Sequence, residues 1–219
     1  MRRQLLALII AIIVGLVAIV APLAYYHYYY HPQSTAGAGS SVGLPDGLQM
    51  YLNISPDRFV VWGSITIDIS IVNPATHNVT IAAAQDWPIS GASLGACNTF
   101  NYPMGIAIYS GHYMASNITM AGEPLLLYAL VPCPMVILYV KSYVFAPYGS
   151  PTTQWSDSNG TFYVGSYEIH YASQLSGFWA VPPSGASQFR SFPAGNYTVV
   201  GADEWGQMAI SHFTVEPAP

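Results

Sequence analysis

Charge is the first thing this sequence lacks. Only 7% of its 219 residues are Asp, Glu, Lys or Arg, against roughly 25% in an ordinary soluble protein. It has one lysine, Lys141, and no basic patch to meet phosphates, which excludes a nucleic-acid binder. It also lacks a second long hydrophobic run, which excludes a multi-pass transporter. After the first run there is no amphipathic helical stretch, so a helical domain is excluded as well. What is abundant is apolar: 52% of residues are hydrophobic and 14% aromatic, with 17 tyrosines. Disordered chains are charged and poor in aromatics, so disorder is excluded too.

The one long apolar run, Leu5 to Ala24, follows Arg2 and Arg3. Its 20 residues span roughly 30 Å as a helix, the thickness of a hydrocarbon core. Positive charge ahead of it predicts an N-terminus inside and the remainder outside. The alternative is a cleaved signal peptide. Cleavage after Ala24 places Pro22 at −3, and cleavage after Ala21 places Pro22 at +1; both sites are poor. The segment Tyr25-Tyr26-His27-Tyr28-Tyr29-Tyr30-His31 then reads as an interfacial aromatic belt. Residues 1–24 are therefore expected to be a signal-anchor or signal peptide. Residues 25–47, ending in a Gly/Ser/Ala-rich stretch, are expected to be the belt and a flexible linker. Residues 48–219 are expected to be an extracellular domain, attached to the cell membrane by a single pass or secreted to the cell surface if cleaved.

Three further features fit an exported chain. Asn53, Asn78, Asn117, Asn159 and Asn196 all lie in N-x-S/T sequons without proline, five of the eight asparagines. Ser and Thr number 32 of 219, so random placement would give about one sequon. Cys97 and Cys133 are an even pair that suits one disulfide in an oxidising compartment, the alternative being two buried free thiols. Beyond residue 24 only three cations face ten anions, a net of −7. A surface of Ser, Thr, Asn, Gln and Tyr stays soluble when carboxylates are protonated, which suggests an acidic exterior.

Along the domain, Leu48, Met50, Leu52 and Ile54 alternate with polar residues, and so do Ile65, Ile67, Ile69 and Ile71. Both patterns predict half-buried strands. Val79–Ala83, Gly105–Tyr109, Leu125–Leu130, Met135–Phe145, Thr161–Tyr171, Tyr197–Ala202 and Met208–Val215 read as further strands, with Asn73–His77 as a turn. With 17 Pro and 19 Gly as punctuation, the domain is expected to be an all-β sandwich.

The stretch Gly63–Asn73, then Asn78-Val79-Thr80, resembles the opening strands of bacterial and archaeal immunoglobulin-like sandwiches. The ending, Pro193–Val199 through Asp203-Glu204-Trp205-Gly206 to Phe213-Thr214-Val215, resembles their closing hairpin. In composition and in these two ends the chain is similar to secreted surface proteins of thermoacidophilic archaea, including thread-type filament subunits. The resemblance implies an immunoglobulin-like fold and brings no catalytic residue with it; residues 84–190 depart from the pattern.

Candidate chemistry is sparse. Gly91-Ala92-Ser93-Leu94-Gly95 matches G-x-S-x-G, but a nucleophile elbow needs a strand before it and a helix after, and a loop-like sequence follows. His27 and His31 would share a helix face, and two ligands do not make a zinc site. Cys133 has no histidine close after it, as a blue-copper site would need. Convergence of His112, His170 and His212 is left to the fold to decide. The neighbours Asp203 and Glu204 point to opposite faces if they lie on a strand, and read as a turn over an aromatic plug rather than an acid/base pair. Trp205, Tyr197 and the other exposed aromatics are considered as a carbohydrate platform. No catalytic, cofactor or metal residue is assigned. The expectation is a non-enzymatic, glycosylated cell-surface protein with a structural or interaction role in the envelope. Its partners would be the membrane and other envelope or filament subunits, a filament being joined through strand addition by the freed N-terminal segment or by Leu48–Ile54. One alternative is a cleaved filament subunit assembled by strand exchange; another is an extracytoplasmic ligand- or metal-binding module.

Overall fold

A computed structural model of the chain describes residues 38–94, 102–129, 140–147, 150, 155–156, 158–164, 166–181 and 186–218. The expected membrane segment, the aromatic belt, Cys97, Cys133, and 135–139 of the expected Met135–Phe145 strand lie outside these. Among the described residues the chain forms strands and two single 3-10 turns. In chain order the strands are β1 (Ala38–Gly43), β2 (Gln49–Ser55), β3 (Arg58–Val60), β4 (Ile65–Val72), β5 (Val79–Ala82), β6 (Met104–Ser110) and β7 (Ser142–Phe145). They continue with β8 (Trp155–Ser156), β9 (Thr161–Tyr163), β10 (Glu168–Leu175), β11 (Gly177–Ala180), β12 (Gln188–Ser191), β13 (Gly195–Asp203) and β14 (Met208–Glu216). The domain is all-β, as expected.

The first sheet has the order β1-β2-β4-β10, antiparallel throughout. Its inward residues are those the alternation selects: Leu52, Ile65, Ile67, Ile69 and Ile71 are completely buried. The second sheet has the order β3-β14-β13-β6, with β3 parallel to the end of β14. The two sheets pack face to face as a sandwich. Where they meet, Gly201 on β13 has no side chain, because a Cβ there would lie 2.9 Å from Cδ1 of Ile69. A third sheet, β5-β7-β9-β8, adds Val79, Ile81, Tyr143, Phe145 and Phe162 to the same core. One end of that core is an aromatic stack, in which Phe213 lies 4.9 Å from Tyr197 and 5.4 Å from Phe192.

The second sheet is covered on both faces. Ile106, Ile108 and Val199 face the sandwich core, whereas Ala107, Tyr109, Val200 and Ala202 face a second cluster with Ile89 and Ile118. This is why β6 and β13 read as apolar runs rather than alternations.

Three expectations are corrected. Within the linker expected over 25–47, Ala38–Gly43 is strand and Pro45–Gly47 a 3-10 turn: β1 pairs with β2 from Ala38↔Ile54 to Gly43↔Gln49. Its side chains are too small to show a hydrophobic alternation, and main-chain bonds hold it. Leu125–Leu130 is not a strand over its described residues. Leu125 N–H donates to Ile108 O, while Leu126 O accepts from Trp179 N–H, so the segment is shared between two partners and pairs fully with neither. Thr161–Tyr171 divides into β9 and β10, because the carbonyls of Ser166 and Tyr167 accept from Ala146 and Asn73.

Asn73 pins the expected Asn73–His77 turn. It is fully buried. Its Nδ2 lies within 2.9–3.2 Å of the carbonyls of His77, Phe145 and Ala146, and its Oδ1 accepts from Ala75 N–H. An alanine there strands buried carbonyls at 1–3 kcal/mol each in principle, so Asn73→Ala is expected to lower the unfolding free energy by about 2–4 kcal/mol. Denaturant melts of the two chains check this; a loss below about 0.5 kcal/mol contradicts it.

Candidate functional site

The densest polar constellation sits where β13 turns into β14. Asp203 ends β13, and its Oδ1 accepts from the N–H groups of Trp205 and Gln207, both at 2.9 Å. This is the local side-chain-to-backbone bonding that makes aspartate a turn former. Gly206 takes the left-handed backbone of the turn, at φ 88°. The turn is bolted to distant segments. Glu204 N–H donates to Pro103 O, and Glu204 O accepts from Asp86 N–H. Glu204 Oε1 accepts from Ala84 N–H at 2.8 Å, and its carboxylate also accepts from the Tyr143 hydroxyl. Trp205 Nε1–H donates to Ala82 O at 2.7 Å, and its ring meets Tyr143 edge-on.

Both carboxyls are out of water: Asp203 is 0% exposed and Glu204 7%. Burial pushes Asp203 up to about 6 and Glu204 up to about 7, against the hydrogen bonds that each accepts. Burial also raises Tyr143, with the Glu204 charge adding to it. Asp203 Oδ2 is buried without a hydrogen-bond partner, so ionisation there is poorly compensated. The turn is a clamp between the β13–β14 hairpin and the segments at Ala82–Asp86, Pro103 and Tyr143. It is the turn expected over Asp203-Glu204, with the Trp205 ring against Tyr143, and it buries both carboxyls.

The other candidates separate. His112 and His212 stack at 3.9 Å, with His212 Nε2 at 2.7 Å from Tyr113 O. His170 lies on β10 of the first sheet, paired with Asp68 at 2.9 Å, so the three histidines do not converge. Among the described residues no group of three or more His, Cys, Asp or Glu is placed to hold a metal. Ser93 forms an antiparallel bridge to Ile106 directly after the turn at Gly91, so no strand runs into it as an elbow requires. Trp205 and Tyr197 do not form a sugar platform: the Trp205 indole is committed to Ala82, and Tyr197 is 3% exposed within the aromatic stack.

The five sequon asparagines, Asn53, Asn78, Asn117, Asn159 and Asn196, are all exposed. In four sequons the middle residue, Ile54, Val79, Ile118 or Tyr197, is buried, so each asparagine stands over a residue anchored in a core. The Asn53 side chain lies across Gly39, where a Cβ would come within 2.6 Å of Oδ1. Thr198 is an exception among the sequon hydroxyls. It is fully buried, donates to Gly111 O and accepts from Tyr113 N–H.

Among the described residues no helix is long and apolar enough to cross a membrane; the run Leu5 to Ala24 lies outside them. Comparison with known protein families, with curated proteins and with solved structures gives no match.

The clamp makes stability depend on pH. Below about pH 3 both carboxyls are protonated, folded or unfolded, and this contribution is fully present. As pH rises past their ordinary values of 3.8 and 4.5, the unfolded chain ionises first, and the contribution is lost by the time pH passes the folded values of about 6 and about 7. The two rises sum to about 5 pKa units, so at about 1.4 kcal/mol per unit the two groups together make neutral pH less favourable by on the order of 6 kcal/mol. The exposed Arg58–Glu216 and His170–Asp68 pairs contribute about 0–1 kcal/mol each, too little to reverse this. Urea melts between roughly pH 4 and pH 8 are expected to show stability falling as pH rises, and the Asp203→Asn, Glu204→Gln double variant to flatten that slope. A stability maximum near neutral pH, or the same slope in the variant, contradicts the assignment.

Proposed function

We propose that this chain is a non-enzymatic, glycosylated cell-surface protein whose immunoglobulin-like domain stands outside the membrane on an N-terminal anchor, with a structural or interaction role in the envelope. The observation that carries this reading is the exposure of all five sequon asparagines over separate parts of the domain. The apolar run behind Arg2 and Arg3 supplies the anchor. The clamp, whose carboxyls favour the protonated state, suits an acidic exterior.

The immunoglobulin-like assignment has its own support. The segment from β2 to β3 contributes first to one sheet and then, parallel to the last strand, to the other. Near the start of the central strand β13, where its pairing with β6 begins, stands Tyr197, whose hydroxyl donates to Pro193 O four residues upstream at 2.8 Å. That is the geometry of the tyrosine corner in such sandwiches. The extra strand β1 then covers the outer edge of β2.

One observation favours a second reading, the cleaved filament subunit. β1 is an edge strand of Ala, Gly, Ser and Val, and the Oγ of its Ser40 is buried without a partner. A strand held mainly by main-chain bonds is one that a neighbouring copy could replace. Mass spectrometry of the native protein separates the readings. The anchored reading predicts that residues 1–24 are retained, with a mass above the 23.6 kDa of the bare chain and glycan on at least two of Asn53, Asn78, Asn117, Asn159 and Asn196. A mature N-terminus beyond Ala24, in material that sediments as polymer, transfers the assignment to the filament. A mass equal to the bare chain overturns the glycosylated reading.

A further inference from the structure

Away from the clamp, an open cleft of about 530 Å³ lies between the turn after β3 and the strand β12. Its size is that of a small-ligand site. We propose that this cleft binds a saccharide carrying a sulfate or carboxylate group, with Trp62 as the platform for the ring and Arg190 as the partner of the anion.

The first ground is Trp62 itself. Gly63 N–H donates to Val60 O at 2.8 Å, closing a four-residue turn. Trp62 occupies the third place of that turn at φ 78°, a slot that selects glycine. A bulky residue in the left-handed region is strained, and such strain clusters at functional sites. Burial does not compensate the strain, because Trp62 is 79% exposed. The turn thus holds an indole out into solvent at the mouth of the cleft.

The second ground is what stands opposite. Phe189 is 50% exposed, and Ser176 and Ser191 line the wall with Arg190. Phe192 is buried in the aromatic stack beneath and fixes the floor. Arg190 is one of only three cations beyond residue 24. Among the described residues Arg58 pairs with Glu216, but no carboxylate pairs with Arg190. A guanidinium free on an acidic chain is matched by an anionic ligand group.

These features select the ligand class. An apolar ring face beside two serines and one fixed cation suits a sugar ring, whose C–H face lies on the indole while its hydroxyls bond at the rim. Nucleic acid would need several cations along the backbone. A stable protein partner would need on the order of 800 Å² on this side, far more than two exposed rings supply. The proposal does not depend on whether the chain is anchored or released.

The test uses the full chain in detergent and three oligosaccharides of equal length: neutral dextran, dextran sulfate and oligogalacturonate. Calorimetry and tryptophan fluorescence at roughly pH 6, where both acidic probes are ionised, give the affinities. The charged probes are expected to bind at least about tenfold more tightly than neutral dextran, with inorganic sulfate a weak competitor. Trp62→Gly, which suits the backbone there, is expected to weaken all three about tenfold without lowering Tm. Arg190→Gln, at an exposed position, is expected to leave Tm unchanged and bring charged and neutral probes to similar affinity. Should Trp62→Gly melt early, Arg190→Gln alone decides. Equal affinity for charged and neutral probes in the wild type, unaltered selectivity in Arg190→Gln, or inorganic sulfate competing as well as the sulfated oligosaccharide overturns the proposal.

Discussion

Much of this domain hangs on the burial of two neighbouring carboxyls. Asp203 shapes the turn between β13 and β14, and Glu204 ties it to Ala84, Asp86, Pro103 and Tyr143. Those partners come from three separate stretches of sequence. One turn therefore fixes the hairpin of the second sheet against the strands β5 and β7 of the third. A hydrophobic contact would hold the same segments together without direction; the carboxyls set the register as well, because each hydrogen bond is satisfied in one geometry only. The cost is a site that resists ionisation, since burial outweighs the hydrogen bonds that both groups accept.

That cost fits the rest of the composition. A chain with so few charges has little to lose from protonating carboxylates at its surface, and the buried pair Asp203 and Glu204 favours the protonated state. Polar character is carried by hydroxyls and amides, which do not titrate. The outward face of the first sheet shows the same economy: Asp68 pairs with His170, and Gln174 donates to Ser64, on adjacent strands. The five exposed asparagines continue the pattern, uncharged groups at which a bulky modification would meet solvent.

The sequence made some of this legible and hid the rest for physical reasons. Four isoleucines at period two, Ile65 to Ile71, could only be a strand with one buried face, and all four are buried. The closing hairpin was equally plain, with Asp-Glu-Trp-Gly between two apolar runs. The strand β1 was hidden because Ala, Gly and Ser carry almost no amphipathic signal, so main-chain pairing alone defines it. Leu125–Leu130 misled because an apolar run reports burial, not a continuous partner. The burial of Asp203 and Glu204 was not legible at all: it depends on Ala84, Pro103 and Tyr143, far away in the sequence. The exposed Trp62 was hidden in the same way, since nothing in Val-Val-Trp-Gly says which residue takes the left-handed place.

The most direct measurement of the central claim is a carboxyl carbon NMR titration of Asp203 and Glu204 in the folded protein. The pair is expected to titrate with apparent pKa values near 6 and 7, with the two curves coupled. Midpoints in the ordinary range near 4 for both groups would contradict it and remove the clamp from the centre of the fold.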